Sequence, residues 1–407
     1  MNSEASKAAV KPGRLSLFVF IDAFGWELVK HYSFLDDMLP VRMPLGTQFG
    51  YSSTCIPTIL TGRLPREHGH FTFFARATGK TPFAYYHLFS AIPRFITRRG
   101  RIRSYMSKHL QRIHGITGYF QIYNMPFKHL SKFDYMERRD IFEPGGINGG
   151  CPTIFDHLRE NDIPFHRSDW HANEEANLAA ARLAIDESKI RFGFVYLAAL
   201  DAILHREGKH GNGGARKVRW YEDQLRILME HANRRYDEVR LFVFSDHGMT
   251  DTICTCPLME RVDSLGLRFG KDYLAAYDST MARFWFYSPR ARDAITAQLN
   301  EEAHGHILSQ EVLARWGCDF PDNRYGDLIF LMDPGCLLCP SFMGEKPLVA
   351  MHGYDPEDKD SVATFMTNSQ DAARPSHLVN MLALMRSEAD SDVRSAALTG
   401  PVTADEA

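Results

Sequence analysis

The sequence predicts an α/β protein built on a mostly parallel sheet. Short apolar runs that read as buried strands alternate with stretches whose apolar residues recur at i, i+3 and i+4. Several of those runs end on acidic residues, and the carboxyl ends of parallel strands are where α/β enzymes gather their functional groups. At 407 residues, 44% hydrophobic and 24% charged, the chain can form one large domain with insertions.

Residues 1–13 are polar and read as a loose tail. LSLFVFIDAFG (15–25) is apolar and β-rich and reads as a strand ending at Asp22, with a helix from Trp26. The stretch 45–65 reads as a strand, a turn and a helix starting near Ser53, with Pro57 in the first turn, where a missing N–H costs nothing. From 68 to 133 there is no Asp or Glu but eleven Lys and Arg mixed with Phe and Tyr; we read this as an insertion, about 70–150, that shapes or caps the site. The αβ rhythm resumes near Gly149 with helices at CPTIFDHLREN and EEANLAAARLAIDES. A strand over 191–200 leads to Asp201, an amphipathic helix covers 214–236, and a strand over 239–245 ends at Asp246. TMARFWFYS and GDLIFLMD read as two strands flanking the helix RARDAITAQLNEE, within a second insertion at about 265–340. His352 lies in a glycine-bearing loop, the catalytic domain is expected over 14–385, and 386–407 reads as a polar, disordered tail.

A net charge of −3 gives no global drive toward nucleic acid or membrane. No apolar segment precedes the first strand, so no secretory signal is expected, and no run approaches the ~18 residues of a spanning helix. Seven cysteines in such a chain favour reduced thiols and a cytoplasmic location. Cys254/Cys256 and Cys336/Cys339 would make a structural zinc site if the pairs met; free thiols are the ordinary alternative.

Asp22, Asp201, His205, Asp246, His247 and His352 are carboxylates and imidazoles of the kind that hold Zn²⁺ or Mn²⁺ at a catalytic site. Asp201 and His205 share one face if a helix follows their strand. Asp246 and His247 sit where the chain turns, and Gly248 permits close backbone approach. Each piece alone has an ordinary explanation as a cap, turn or solvated face; their joint placement at strand ends points to convergence. Ser52 and Ser53 precede a helix, where free N–H groups and the helix dipole favour an anion; an N-cap is the plain alternative. A serine hydroxyl is a poor nucleophile until a base or a metal lowers its pKa.

This order resembles the alkaline phosphatase superfamily, closest to its nucleotide pyrophosphatase/phosphodiesterase branch. The residues that carry the resemblance are Asp22, Ser52 with Thr61-Gly62, the Asp201/His205 pair, Asp246-His247 and His352-Gly353, together with LTGRLPREHG. The resemblance implies a three-layer α/β/α sandwich with inserted cap segments, and two divalent metals, most naturally zinc. Asp22, Asp246, His247 and the Ser52 oxygen would hold one ion; Asp201, His205 and His352 would hold the other. It implies hydrolysis of a phosphodiester or pyrophosphate bond through a phosphoseryl intermediate, with the Ser53 N–H holding a non-bridging oxygen. The branch has proline two residues after a threonine nucleophile, whereas here that position is Thr54, which leaves Ser52 and Ser53 both in view; the count to Gly62 favours Ser52. Cys55-Ile56-Pro57 superficially echoes a sulfatase motif but lies three residues too close to the Thr-Gly pair.

Other readings stay in view: a phosphomonoesterase or phosphonate hydrolase on the same scaffold, or a non-catalytic binder of a phosphorylated ligand. The expected substrate is a phosphorylated small molecule or lipid-linked compound. AIPRFITRRGRIRSYMSKHLQRIHG mixes apolar and basic residues as an interfacial helix does, so the acid-free stretch is a candidate polyanion pocket or peripheral membrane contact. No motif for sequence-specific nucleic-acid binding is present. Asp278 and Arg283 are candidates for the site's edge, and His68 and His70 are expected in packing beyond the nucleophile's helix.

Overall fold

The computed structural model describes residues 13–91 and 99–398. Its central sheet contains β1 (Arg14–Ile21), β2 (Val41–Leu45), β3 (Phe165–Arg167), β4 (Phe192–Leu197), β5 (Glu238–Phe244) and β6 (Ala363–Thr367), in the order β2-β6-β5-β1-β4-β3. β5, β1, β4 and β3 run parallel; β6 runs against both of its neighbours.

Alternation in these strands divides the core by chemistry. Leu17, Val19 and Ile21 point to one face, with Val195, Leu197, Leu241 and Val243, beneath the helices Glu174–Asp186 and Asn212–Arg235. Phe18 and Phe20 point to the other face. There Phe18 stacks between Phe242 and Phe192 at 4.5 and 5.0 Å, and Phe20 between Tyr196 and Phe244 at 4.8 and 5.4 Å. Such offset rings add to the burial of their area. With helices on both faces this is the three-layer sandwich, and strands buried on both sides explain the near-continuous apolar runs.

Register carries this order to one edge. Ile21 pairs with Leu197, and Phe20 with both Tyr196 and Phe244, so the three carboxyl ends lie side by side.

The stretch 265–340 holds an antiparallel sheet of strands Tyr273–Tyr277, Met281–Phe286, Leu328–Met332 and Gly305–Ile307. Phe74, Phe83, Leu110, Phe120 and Phe133 from the acid-free stretch share a core with Leu274, Phe284 and Trp285 of that sheet. The two insertions are therefore packed against each other.

Four expectations need correction. The helix α1 (Ser52–Thr61) holds Pro57 in its second turn, so the Ser53 carbonyl lacks its usual donor. Asp201 does not end a strand: β4 stops at Leu197, and Asp201 lies in the first turn of α2 (Ala199–Glu207). The helix α3 (Met381–Leu398) continues through the start of the expected tail; Glu388 is buried, accepts from Ser16 Oγ at 3.2 Å and pairs with Arg240 at 3.3 Å. Finally, the thiols are not all free. Cys254 and Cys336 sit opposite each other on parallel strands with Cα atoms 4.6 Å apart and form a disulfide, leaving Cys256 and Cys339 free. A four-thiolate zinc site is incompatible with that bond. Residues 1–12, 399–407 and 92–98, which include part of the expected interfacial helix, lie outside the described residues.

Candidate active site

Asp22 follows β1 directly and is held from two sides. Tyr196 Oη donates to its Oδ2 at 2.7 Å. The next residue, Ala23, is buried with φ of 60°, a conformation costing an L-residue roughly 1–2 kcal/mol, and its N–H donates to Asp246 Oδ1 at 3.2 Å. That turn locks Asp22 against Asp246.

Asp246 is fully buried; its carbonyl accepts from Thr47 Oγ1 at 2.5 Å. His247 Nδ1 donates to the Gly248 carbonyl at 2.9 Å, which turns Nε2 inward toward the carboxylates. Gly248 is required where it stands, because a Cβ there would lie 2.1 Å from the Asp360 carbonyl. His205 is fixed in the same way: its Nδ1 meets the Ala350 carbonyl at 2.8 Å, and its Nε2 lies 3.2 Å from Asp201 Oδ1, one helical turn back. His352 stacks on His247 with centroids 3.7 Å apart and meets the edge of Tyr51. Gly353 follows at φ of 89°, where a side chain would strike the Tyr51 ring.

All six predicted ligands therefore converge. Asp201, His205 and His352 bring ligand atoms within 4.8 Å of one another, as do Asp22, Asp201 and His247. Asp246 Oδ2 lies 3.1 Å from His247 Nε2. Among the described residues, buried Asp22 Oδ1, Asp201 Oδ1, Asp246 Oδ2 and His352 Nδ1 have no hydrogen-bond partner. Crowded buried carboxylate oxygens without a hydrogen-bond donor are costly, and cations are the natural partners for such a set. Charge is correspondingly skewed. Burial and the Asp246 and Asp201 carboxylates push Asp22 well above the usual carboxylate range. Burial opposes a charge on His247, yet Asp246, Asp22 and Asp201 hold its imidazole up at about 10. Burial and the neighbouring His247 push His352 well below the usual imidazole range.

The two serines separate by direction. Ser52 Oγ lies 3.0 Å from His247 Nε2, among the converging groups. Ser53 Oγ turns away and donates to the Phe71 carbonyl at 3.2 Å. As the first residues of α1, both have N–H groups without an intrahelical acceptor. Cys55 is buried behind them, its thiol toward the Gln48 carbonyl, away from the site.

A cavity of about 620 Å³ opens over Ser52. The acid-free stretch contributes Phe73, Tyr119 and Tyr123 to its wall; Phe73 stacks on both tyrosines at 5.3 and 5.9 Å, and their hydroxyls meet at 3.1 Å. Among the described residues no Lys or Arg lines it, so the described cations of that stretch do not form the expected polyanion pocket. Asp278 lines the cavity, but Arg283 is fully buried behind it and neutralises it at 2.9 Å. His68 and His70 serve packing: His68 Nε2 bonds Thr58 Oγ1 at 3.0 Å and His70 Nε2 accepts from the Asn148 N–H at 3.0 Å.

Tyr196, Thr47, Tyr51 and the aromatic wall were not anticipated from the sequence. Tyr196 alone carried a signal, as a polar-tipped residue inside the apolar run 191–200.

Glu137, buried in the same wall, has its carboxyl pushed up to about 8 by burial. The folded state holds that proton between about pH 5 and 8 while the unfolded state releases it, so the side chain costs stability as pH rises through this window. Glu137→Gln is expected to raise the melting temperature at pH 8 and leave it nearly unchanged at pH 5. Equal effects at both values would contradict the burial-driven shift.

The fold has clear relatives. Murine ectonucleotide pyrophosphatase/phosphodiesterase 5 superposes with a TM-score of 0.66 at 16% identity, covering 94% of this chain and 95% of that one. The inactive murine variant in complex with AMP gives 0.64 at 16% identity, over 93% and 95%. The human protein gives 0.64 at 14%, over 94% and 95%. No curated protein sequence matches. The sequence profile described as Type I phosphodiesterase / nucleotide pyrophosphatase matches residues 17–355. That match spans both ends of the site, from the strand bearing Asp22 to the loop bearing His352, and the chain is thus a phosphoric ester hydrolase that belongs to the type I phosphodiesterase/nucleotide pyrophosphatase family.

Proposed function

We propose that the protein is a divalent-metal phosphodiesterase or pyrophosphatase that uses Ser52 as its nucleophile. One observation carries the reading: the Ser52 hydroxyl, at a helix N-terminus, faces the carboxylate and imidazole cluster, while the Ser53 hydroxyl is committed elsewhere. Asp22, Asp246, His247 and Ser52 would hold one ion and Asp201, His205 and His352 the other; zinc or manganese suits this donor set. When bound, the two ions would lower the pKa of the serine hydroxyl and offset charge building on the phosphoryl oxygens.

The residues of the chain supply position. The Ser52 oxygen would attack phosphorus in line with the departing ester oxygen, which leaves as the alcohol while the other ester substituent stays on the seryl-bound phosphoryl group; water then cleaves the Ser52 O–P bond, releasing a phosphomonoester and restoring the hydroxyl. The Ser53 N–H and the α1 dipole favour the anionic phosphoryl group. Tyr196 and the carbonyls of Gly248 and Ala350 orient Asp22, His247 and His205.

The lining favours a diester. A monoester brings a second negative charge, and no Lys or Arg among the described lining residues meets it. Its apolar and aromatic wall instead accepts an organic substituent, and a nucleotide, like the AMP bound by the murine relative, has that chemistry. The test is hydrolysis of an aryl phosphodiester beside the matching monoester by metal-loaded protein. Preferential diester cleavage is expected; preference for the monoester would move the assignment to a phosphatase.

A further inference from the structure

Among the described residues, the acid-free stretch contributes no Lys or Arg to the cavity, so its charge needs another explanation. It holds eleven Lys and Arg without one Asp or Glu, in a chain whose net charge is −3. Elsewhere surface arginines are commonly paired, as in Arg66–Asp319, Arg226–Asp37 and Arg268–Asp272. In contrast, Lys80, Arg101, Lys108, Arg112, Lys128 and Lys132 are exposed and, among the described residues, meet no carboxylate.

The helix Gly100–Ile113 concentrates this charge. Arg103, Ser107 and Leu110 form its buried face. Arg101, Tyr105, Lys108 and Arg112 recur at i, i+4, i+7 and i+11 and form one exposed stripe. Large apolar groups stand in water beside these cations: Tyr105 is 73% and Ile113 60% exposed. The neighbouring turn leaves Tyr85 77% and Leu88 67% exposed. Phe127 ties the two elements together, packing on Phe89 of the turn at 6.1 Å and lying under the Arg103 guanidinium at 4.5 Å.

We propose that this flank of the insertion docks on an anionic lipid bilayer. Uncompensated cations complement a negative headgroup layer, and aromatic and aliphatic side chains gain by entering the headgroup–acyl boundary. A nucleic acid would satisfy the cations, but it offers nothing to Leu88 and Ile113. This reading rests on surface residues only and stands apart from the catalytic assignment. It bears on access, since Phe73, Tyr119 and Tyr123 of the same insertion line the cavity.

The test is sedimentation of the full chain with vesicles of phosphatidylcholine alone or of phosphatidylcholine and phosphatidylglycerol in equal parts. Binding to the anionic vesicles is expected to be at least about tenfold tighter, and to weaken with salt. Reversing Arg101, Lys108 and Arg112 to Glu together should remove that preference. Leu88→Ser with Tyr105→Ser should weaken anionic-vesicle binding severalfold while leaving cleavage of a soluble diester unchanged. Equal binding to both vesicle types would overturn the proposal. So would tight binding to a DNA duplex together with vesicle binding insensitive to the serine pair, which would mark a polyanion surface instead.

Discussion

Ser52→Ala is expected to lower turnover of an aryl phosphodiester at least about a thousandfold, the scale on which loss of a nucleophile registers in hydrolases. The same variant is expected to keep its metal content and melting temperature, because the Ser52 oxygen is one donor among several and its side chain is only half-buried. Ser53→Ala should behave differently. Its hydroxyl donates to the Phe71 carbonyl, so removal costs stability of about 1 kcal/mol and leaves the chemical step largely intact. Measuring kcat, metal stoichiometry and thermal unfolding on the two variants separates the roles. Near-normal activity in Ser52→Ala would remove the serine from the mechanism. Loss of both activity and metal would make it a ligand without showing that it is a nucleophile.

The count to Gly62 favoured Ser52 in the sequence, but the direction of each hydroxyl was not legible there. Ser52 and Ser53 are adjacent, share a residue type and precede the same helix. Only the helix phase, set by a start at Ser52, turns one hydroxyl to His247 and the other to Phe71. The converging carboxylates and imidazoles were largely legible because strand ends are marked locally. Asp22 and Asp246 each close an apolar run, and the parallel register of the buried strands brings those ends together. Asp201 was placed one element early because the apolar run 191–200 continues through a strand into a helix, and apolar character alone does not mark that switch. The cavity wall carried no local signal. Phe73, Tyr119, Tyr123 and Glu137 lie on short irregular segments whose convergence depends on packing against a second sheet some two hundred residues away in sequence. Composition announced the insertion and misdirected its purpose: most of its described cations are exposed, while Phe73, Tyr119 and Tyr123 line the cavity.

Removing the metals is expected to abolish activity and to lower the melting temperature by several degrees. Asp22, Asp201 and Asp246 converge with an oxygen of each buried and, among the described residues, without a hydrogen-bond partner, an arrangement that cations relieve. A ligand that binds only the folded state at about a hundred times its dissociation constant adds roughly 2.7 kcal/mol, and two ions act together. Asp201 is the decisive position, because it belongs to both groups of converging ligand atoms. Asp201→Asn keeps the shape of the side chain and removes its charge. It should therefore lower metal affinity and activity together, and flatten the dependence of melting temperature on added zinc or manganese. His68→Gln is the control, since His68 is buried in the same half of the molecule but bonds only Thr58 and its own loop. That substitution should lower stability at every metal concentration alike. If Asp201→Asn retained full metal content and the same metal-dependent melting shift, the cluster would have to be assigned another purpose, and the unpartnered oxygens of Asp22 and Asp246 would need a different explanation.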